Sequence, residues 1–433
     1  MALQSLLILI FVLLILLFIG IPISYAIAFS SLIVMLQMID FNIIALTGAQ
    51  RIFVGMSNFT LTAIPFFILA GNLMNQGGIA KKLINLVLAI LGKLPGSLLI
   101  ANAGANGLFG AISGSASAAA AAVGGMVKNE QEKQGYDKAL SAATNIASAP
   151  SGLLIPPSNA LITYSLVSGG TSIAALFIAG YIPGLIWVLG CFLGAIVFAK
   201  RAKYKSTDFN YGIKNVILAI LDAIPALSLI VIVIGGIVKG IFTATEGSAI
   251  AVVYALILGI LYKNITVKKF VEIVIESAKL SGMIVFLIGV SNILGWVMAF
   301  TQIPQSIAMV LLGLTQNKII LLLMINIILL IAGTFMDVTP AIVIFTPLFL
   351  PVVRELGVHP VHFGIILVYN LCIGNITPPV GNTLFVGVKV GNTTLEKVMK
   401  YMVFYYVLIL IGLLFVTYIP TLSLFLPKIA GLL

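Results

Sequence analysis

Long apolar stretches joined by short polar segments run the length of the chain. Uninterrupted apolar runs of bilayer-spanning length occur at about 3–19, 21–39, 57–75, 172–199, 215–238, 244–262, 279–299 and 401–427. Two further regions, about 138–169 and 361–391, are long enough to cross, but each is cut by a Pro-Pro pair, in "IPPSN" (155–159) and "TPPVGN" (377–382). Two others, about 97–126 and 317–353, carry a Gly/Ser/Thr/Asp/Pro break near the middle. Each half is then too short to cross, which predicts re-entrant helical hairpins. Proline removes a backbone donor and pushes the preceding residue out of helical geometry. An unpaired backbone group facing lipid costs several kcal/mol, so such breaks belong where they line a site, unless the prolines are simple kinks.

The interruptions repeat. Pro156 and Pro157 coincide with Pro378 and Pro379 at an offset of 222, and the same offset lays "AISGSASA" from Ala111 onto "GTFMDVTP" from Gly333. The order span, span, span, hairpin, broken helix occurs twice, over 1–199 and 215–433, on either side of a basic linker at 200–214. An odd number of crossings precedes the linker, so the second unit is inverted. Inverted repeats with paired discontinuous helices mark secondary transporters, with sites near the bilayer midplane. The predicted fold is an all-α polytopic membrane protein of two inverted-topology repeats.

Composition fits this reading: 61% hydrophobic and 8% charged residues, against roughly 25% charged in a soluble domain. With the N-terminus outside and ten crossings, eighteen Lys/Arg fall inside (among them Lys81, Lys93, Lys128, Lys200 and Lys268) and five outside (Arg51, Lys239, Lys318, Arg354 and Lys428). Positive-inside bias thus explains the net charge of +11 better than nucleic-acid binding does. The first apolar run reads as a retained span, not a signal peptide. Cys191 and Cys372 lie in apolar runs and suggest neither a disulfide nor a metal site.

At each break, free carbonyls and hydroxyls make a cluster of hard neutral oxygens: Ser113, Ser115 and Ser117 with Gly152, Ile155 and Ser158, then Gly333, Asp337 and Thr339 with Gly374, Asn375 and Thr377. Such clusters suit an alkali cation. Half-helix N-termini at the same tips suit an anion, and Asn159 and Asn382 are placed to hydrogen-bond a polar substrate. An acid inside a hairpin tip is costly and usually functional; Asp337 either serves ion or substrate or caps a half-helix. Asp222 and Glu246, near span ends, read as capping or pairing groups. No Walker motif is present. "GAISG" (110–114) has no nearby base for serine chemistry, because His359 and His362 are assigned to the outer surface. An ion channel is the remaining rival, since carbonyl-lined filters also use irregular backbone.

The chain resembles the large membrane subunit of the tripartite ATP-independent periplasmic (TRAP) transporters. The resemblance is carried end to end by "IPFFILAGNLM" (64–74), "GAISGSASAAAAAVG" (110–124), "GYDKALSAA" (135–143), "LLIPPSN" (153–159), "AGYIPGL" (179–185), "TATEGSAIAVVYA" (243–255), "GTFMDVTPAIVI" (333–344) and "HFGIILVYNLCIGNITPPVGNTLF" (362–385). It implies an elevator-type transporter, a fixed scaffold carrying a mobile transport domain, in a bacterial inner membrane. It also implies coupling to Na⁺, a small four-helix membrane partner, and a periplasmic binding protein that delivers a carboxylated solute. By position in the family's motif, one sodium site would use Gly110, Ser113, Gly152, Ile155 and Pro157, and the other Gly333, Phe335, Gly374, Thr377 and Val380. Substrate would lie between the hairpin tips, at Ser115, Ser117, Asn159, Asp337, Thr339 and Asn382. The run from Leu153 to Gly184 looks most like the sialic-acid (N-acetylneuraminate) branch, with C4-dicarboxylates as the alternative, and "KNEQEKQG" (128–135) is more charged than that family pattern leads one to expect.

Overall fold

The computed structural model describes residues 2–91, 94–204, 213–315 and 317–433; most of the basic linker, 205–212, lies outside them, as does Lys93. The described chain is helical. Helices α1 (Ala2–Phe18), α2 (Ile23–Leu36), α3 (Phe41–Met56), α4 (Ala63–Gln76) and α5 (Ile79–Leu91) lead to a helical hairpin, α6 (Ser97–Ser113) and α7 (Ala116–Lys133). A broken helix follows as α8 (Lys138–Ser148), the single turn α9 (Ser151–Leu154) and α10 (Asn159–Val167), and then the long α11 (Ile173–Arg201).

The second half runs α12 (Ile213–Val238), α13 (Ala244–Leu261), α14 (Val267–Thr301) and α15 (Ile303–Leu314). Its hairpin is α16 (Lys318–Gly333) and α17 (Val338–Glu355), its broken helix is α18 (Pro360–Gly374) and α19 (Asn382–Val390), and α20 (Leu395–Tyr418) and α21 (Thr421–Ile429) close the chain. Both Pro-Pro pairs fall in the breaks, and both Pro-Pro bonds are cis. Shifted by 222, α7 superposes on α17 residue for residue, and α1, α2 and α5 fall within α12, α13 and α15 to within a few residues at either end.

Among the described residues, six helices are long and apolar enough to cross a membrane, and α3 with the Phe59–Gln76 segment makes a seventh span bent by 58°. The apolar run at 57–75 is therefore the second limb of a jointed span that starts at Phe41. The joint falls at Ser57–Asn58, where Asn58 accepts a hydrogen bond from Thr60 N and starts a new 3₁₀ turn. Its counterpart α14 runs 35 residues without a break. The run at 401–427 is likewise two helices, parted at Pro420, which cannot continue α20.

Packing sorts the helices into two groups. In one, α2 and α3 lie on α14, α4 on α13, and α5 on α12. In the other, the halves interlock: α7 packs on α19 and, reciprocally, α17 on α10. Near the centre of this second group Cys372 Sγ lies 3.7 Å from Pro150 O, a contact between residues 222 apart. Trp187, fully buried, donates from Nε1 to Ala147 O at 2.8 Å and sets its ring 4.9 Å from that of Tyr369. Polar groups at span ends are used structurally. Thr243 and Glu246 form a capping box on α13, and Asp222 lies 3.8 Å from Lys82. His359 caps α18, while His362 is buried between Ser423 Oγ (2.6 Å) and Thr417 O (3.2 Å).

Replacing Trp187 by Phe keeps most of the packing but removes the indole donor, a loss of about 1 kcal/mol for an ordinary hydrogen bond. A lower melting temperature in detergent, with an unchanged helical circular-dichroism signal, is the expected outcome.

Candidate functional site

Each hairpin crosses its own broken helix at a pair of glycines. A Cβ on Gly152 would fall 2.1 Å from Gly110 Cα, and a Cβ on Gly374 would fall 2.5 Å from Gly333 Cα. No real side chain tolerates such distances, so the two backbones meet only because both partners lack a Cβ. Sodium-motif residues Gly110 and Gly152 are thus in contact, as are Gly333 and Gly374.

Around the first crossing, Ser158 closes the break by donating to Leu153 O (2.5 Å) and accepting from Leu161 N as the cap of α10. Ser113 ends α6 beneath α4, where a Cβ on Gly71 would come 2.9 Å from its carbonyl oxygen. Ile155 packs against Gly184 of α11, and Pro157 faces Phe67, Ala70 and Met74 of α4. Around the second crossing, Val380 N donates to Thr334 O at 3.1 Å and so ties the break to the hairpin tip. Thr377 Oγ1 donates to Ile373 O at 2.7 Å and Tyr406 Oη to Ile376 O at 2.5 Å. The two breaks differ in cover. Residues 154–158 are buried or half-buried, whereas the side chains of Phe335 and Val380 are 55% and 43% exposed.

Between the hairpin tips and the other helix group lies a cavity of about 680 Å³. The hairpins and breaks contribute Gly114, Ser115, Ser117, Leu153, Asn159, Asp337, Thr339 and Asn375. The opposite wall is α2 (Pro22, Ser24, Tyr25) and α14 (Leu280, Met283, Phe286). Five of the six substrate candidates line this cavity. Asn382, the first residue of α19, does not.

The first residues of α7 and α17, Ala116 and Val338, face the cavity, so two long helices direct their N-termini at it. Ser115 caps α7 by accepting from Ala118 N at 3.4 Å and lies 3.3 Å from Ser117 Oγ. Asp337 holds the equivalent position on α17 but makes no side-chain capping bond, and its side chain is open to the cavity. Asn159 Oδ1 is buried without a hydrogen-bond partner, beside Gly114, where a Cβ would meet its amide at 3.2 Å. Among the lining residues Asp337 alone is charged. The arrangement can hold cations on oxygens at the breaks and a small anion on helix N-termini, hydroxyls and amides between them. Among the described residues no cluster of three or more His, Cys, Asp or Glu is placed to hold a metal.

Sequence reasoning left out the wall formed by α2 and α14. Pro22 in "GIPISYA" and the charge-to-apolar change after Lys279 were the available signals; neither points to a cavity without the packing of distant segments.

The family described as "Tripartite ATP-independent periplasmic transporter, DctM component" matches residues 10–422. The uncharacterized protein YgiK of Salmonella typhimurium is 48% identical over 415 residues, covering 96% of this chain and 95% of its own. The isethionate TRAP transporter permease protein DctMQ of Oleidesulfovibrio alaskensis is 42% identical over 378 residues, which are 87% of this chain but 59% of that longer one. The sialic acid TRAP transporter large permease protein SiaM of Vibrio cholerae is 34% identical over 417 residues, 96% of each chain. Other relatives are named for C4-dicarboxylate transport. The YdaH transporter of Alcanivorax borkumensis shares the fold at a TM-score of 0.57 with 15% identity, over 83% of this chain and 85% of its own.

Gly152→Ala and Gly374→Ala should each force the hairpin off its broken helix, giving little folded protein in size-exclusion chromatography. Gly125→Ala, whose Cβ would meet nothing within 4 Å, should be neutral or stabilise α7 by up to about 1 kcal/mol.

Proposed function

The chain belongs to the DctM component family of tripartite ATP-independent periplasmic transporters, and from that premise we propose that it drives sodium-coupled uptake of a small organic anion through the cavity between its hairpin tips. It is a multi-pass membrane transporter subunit, and the family implies a small membrane subunit and a periplasmic binding protein as partners.

The observation that carries the mechanism is the paired glycine crossing, which brings the main chains of hairpin and break into contact twice, beside one shared cavity. Sodium on each cluster, at Gly110, Ser113, Gly152, Ile155 and Pro157 and at Gly333, Phe335, Gly374, Thr377 and Val380, holds tip and break together. That completes the walls that Ser115, Ser117, Asn159, Asp337 and Thr339 present to the substrate. Substrate charge is balanced by the bound cations and by the N-termini of α7 and α17, since no basic side chain among the described residues lines the cavity.

Repeated element order, reciprocal packing of α7 on α19 and α17 on α10, and the Pro150–Cys372 contact support an inverted repeat about an axis through that contact. The cavity lies at the boundary of the two helix groups, which supports an elevator in which the interlocked group moves against the group built on α14. The lysine distribution supports a periplasmic N-terminus. N-acetylneuraminate is the first substrate to test, on the resemblance of residues 153–184. Isethionate and C4-dicarboxylates are the competitors, since relatives named for them are at least as similar in sequence.

In proteoliposomes holding the assembled transporter and its binding protein, uptake should follow an imposed sodium gradient. Uptake that follows a pH gradient and ignores sodium refutes the coupling, and unsaturated conductance would indicate a channel. Ser113→Ala and Thr377→Ala should each raise the sodium concentration for half-maximal uptake. Asn159→Ala and Asp337→Asn should raise the half-saturating substrate concentration or abolish uptake, with folding retained.

A further inference from the structure

A buried line of amides and hydroxyls runs along the contact of α6 with α8, outside the main cavity. On α6, Asn102 and Asn106 precede Gly110 at four-residue spacing; on α8, Ser141, Asn145 and Ser148 precede Gly152 at helical spacing. Asn102, Asn106, Asn145 and Ser148 are at most 2% exposed. Asn106 Nδ2 has four oxygens around it: Ser148 Oγ at 2.8 Å, Asn102 Oδ1 at 2.9 Å, Asn145 Oδ1 at 3.0 Å and Asn145 O at 3.3 Å. An amide nitrogen carries two hydrogens, so the site holds more acceptors than protons. Asn106 Oδ1 and Asn102 Nδ2 have no partner at all. Buried polar atoms are rarely left so.

One water, donating to Asn106 Oδ1 and to a surplus oxygen while accepting from Asn102 Nδ2, would satisfy both atoms. A crevice of about 20 Å³, room for one water, is lined by Asn102, Ser141 and Asn145 together with Lys128, Glu132 and Lys138. Ser141 Oγ in its wall is also without a partner. Gly124 is required here, because a Cβ would lie 2.3 Å from Asn145 Nδ2. The line ends one turn beyond Asn106, at the crossing of Gly110 and Gly152.

We propose that this seam is a hydrated exit for the cation held at the first break, leading to the lysine-bearing face and separate from the cavity that carries the substrate. It rests on the sodium reading above. Neutral oxygens spaced one turn apart replace a monovalent cation's hydration shell stepwise. Lys138, paired with Glu132 at 3.3 Å, leaves the crevice's positive charge partly balanced.

The test uses the assembled transporter in proteoliposomes. Ser141→Cys is probed from the lysine-bearing side with Ag⁺, a thiol-reactive monovalent cation small enough for a crevice that holds one water; Cys191 and Cys372 are buried and give little background. Labelling should occur and be slowed by sodium but not by potassium. Asn106→Leu should slow radiosodium release about tenfold, as expected when one hydrogen-bonding step of ordinary strength is removed from the path, with substrate affinity at saturating sodium unchanged. If wild-type uptake ignores sodium, the coupling reading falls and this inference with it. If wild-type uptake is sodium-driven but Ser141→Cys labelling is indifferent to sodium, the seam is a structural clamp and the exit is overturned. The labelling result decides even where Asn106→Leu fails to fold.

Discussion

The structure depends on one constraint: irregular backbone inside a membrane must be enclosed by protein. Both breaks meet it the same way, by laying a helical hairpin across the interruption at van der Waals contact between main chains. Contact that close needs glycine on both sides, at Gly110 and Gly152 and again at Gly333 and Gly374. Once the hairpin is seated, its tip is fixed beside the break, the N-termini of α7 and α17 are aimed at a common space, and the cavity has one wall. Capping by Ser115 and Ser158, and the tie from Val380 to Thr334, refine that arrangement.

The two breaks are alike in construction but not in surroundings. The first is packed beneath α4 and α11, with Pro157 against Phe67, Ala70 and Met74, while the second leaves Phe335 and Val380 substantially exposed. The difference follows from the neighbours: α4 and α11 lie over the first break, through Met74 and Gly184.

Much of this was legible in the residues. The Pro-Pro pairs fall where α9 gives way to α10 and α18 to α19, and polar residues part α6 from α7 and α16 from α17, because proline and glycine act locally. Packing-dependent features were not. The bend between α3 and α4 arises from Asn58 and the turn it caps, with no proline to announce it, and amphipathic α5 and α15 are too short to register as spans. Asp337 showed as an acid in a hairpin tip, but its openness to the cavity depends on Pro22–Tyr25 and Leu280–Leu287, fifty or more residues away in the chain. Asn382 was placed just past the second break as Asn159 is past the first, yet it does not line the cavity.

Helix α14 also serves as a depth gauge. Its charged residues, Lys268, Lys269, Glu272, Glu276 and Lys279, all fall in the first thirteen positions. The uncharged remainder, 280–301, is about 33 Å long, close to the roughly 30 Å of a hydrocarbon core. Leu280, Met283 and Phe286, which face the cavity, occupy the opening third of that uncharged length. The cavity therefore lies nearer the charged end of α14 than its far end.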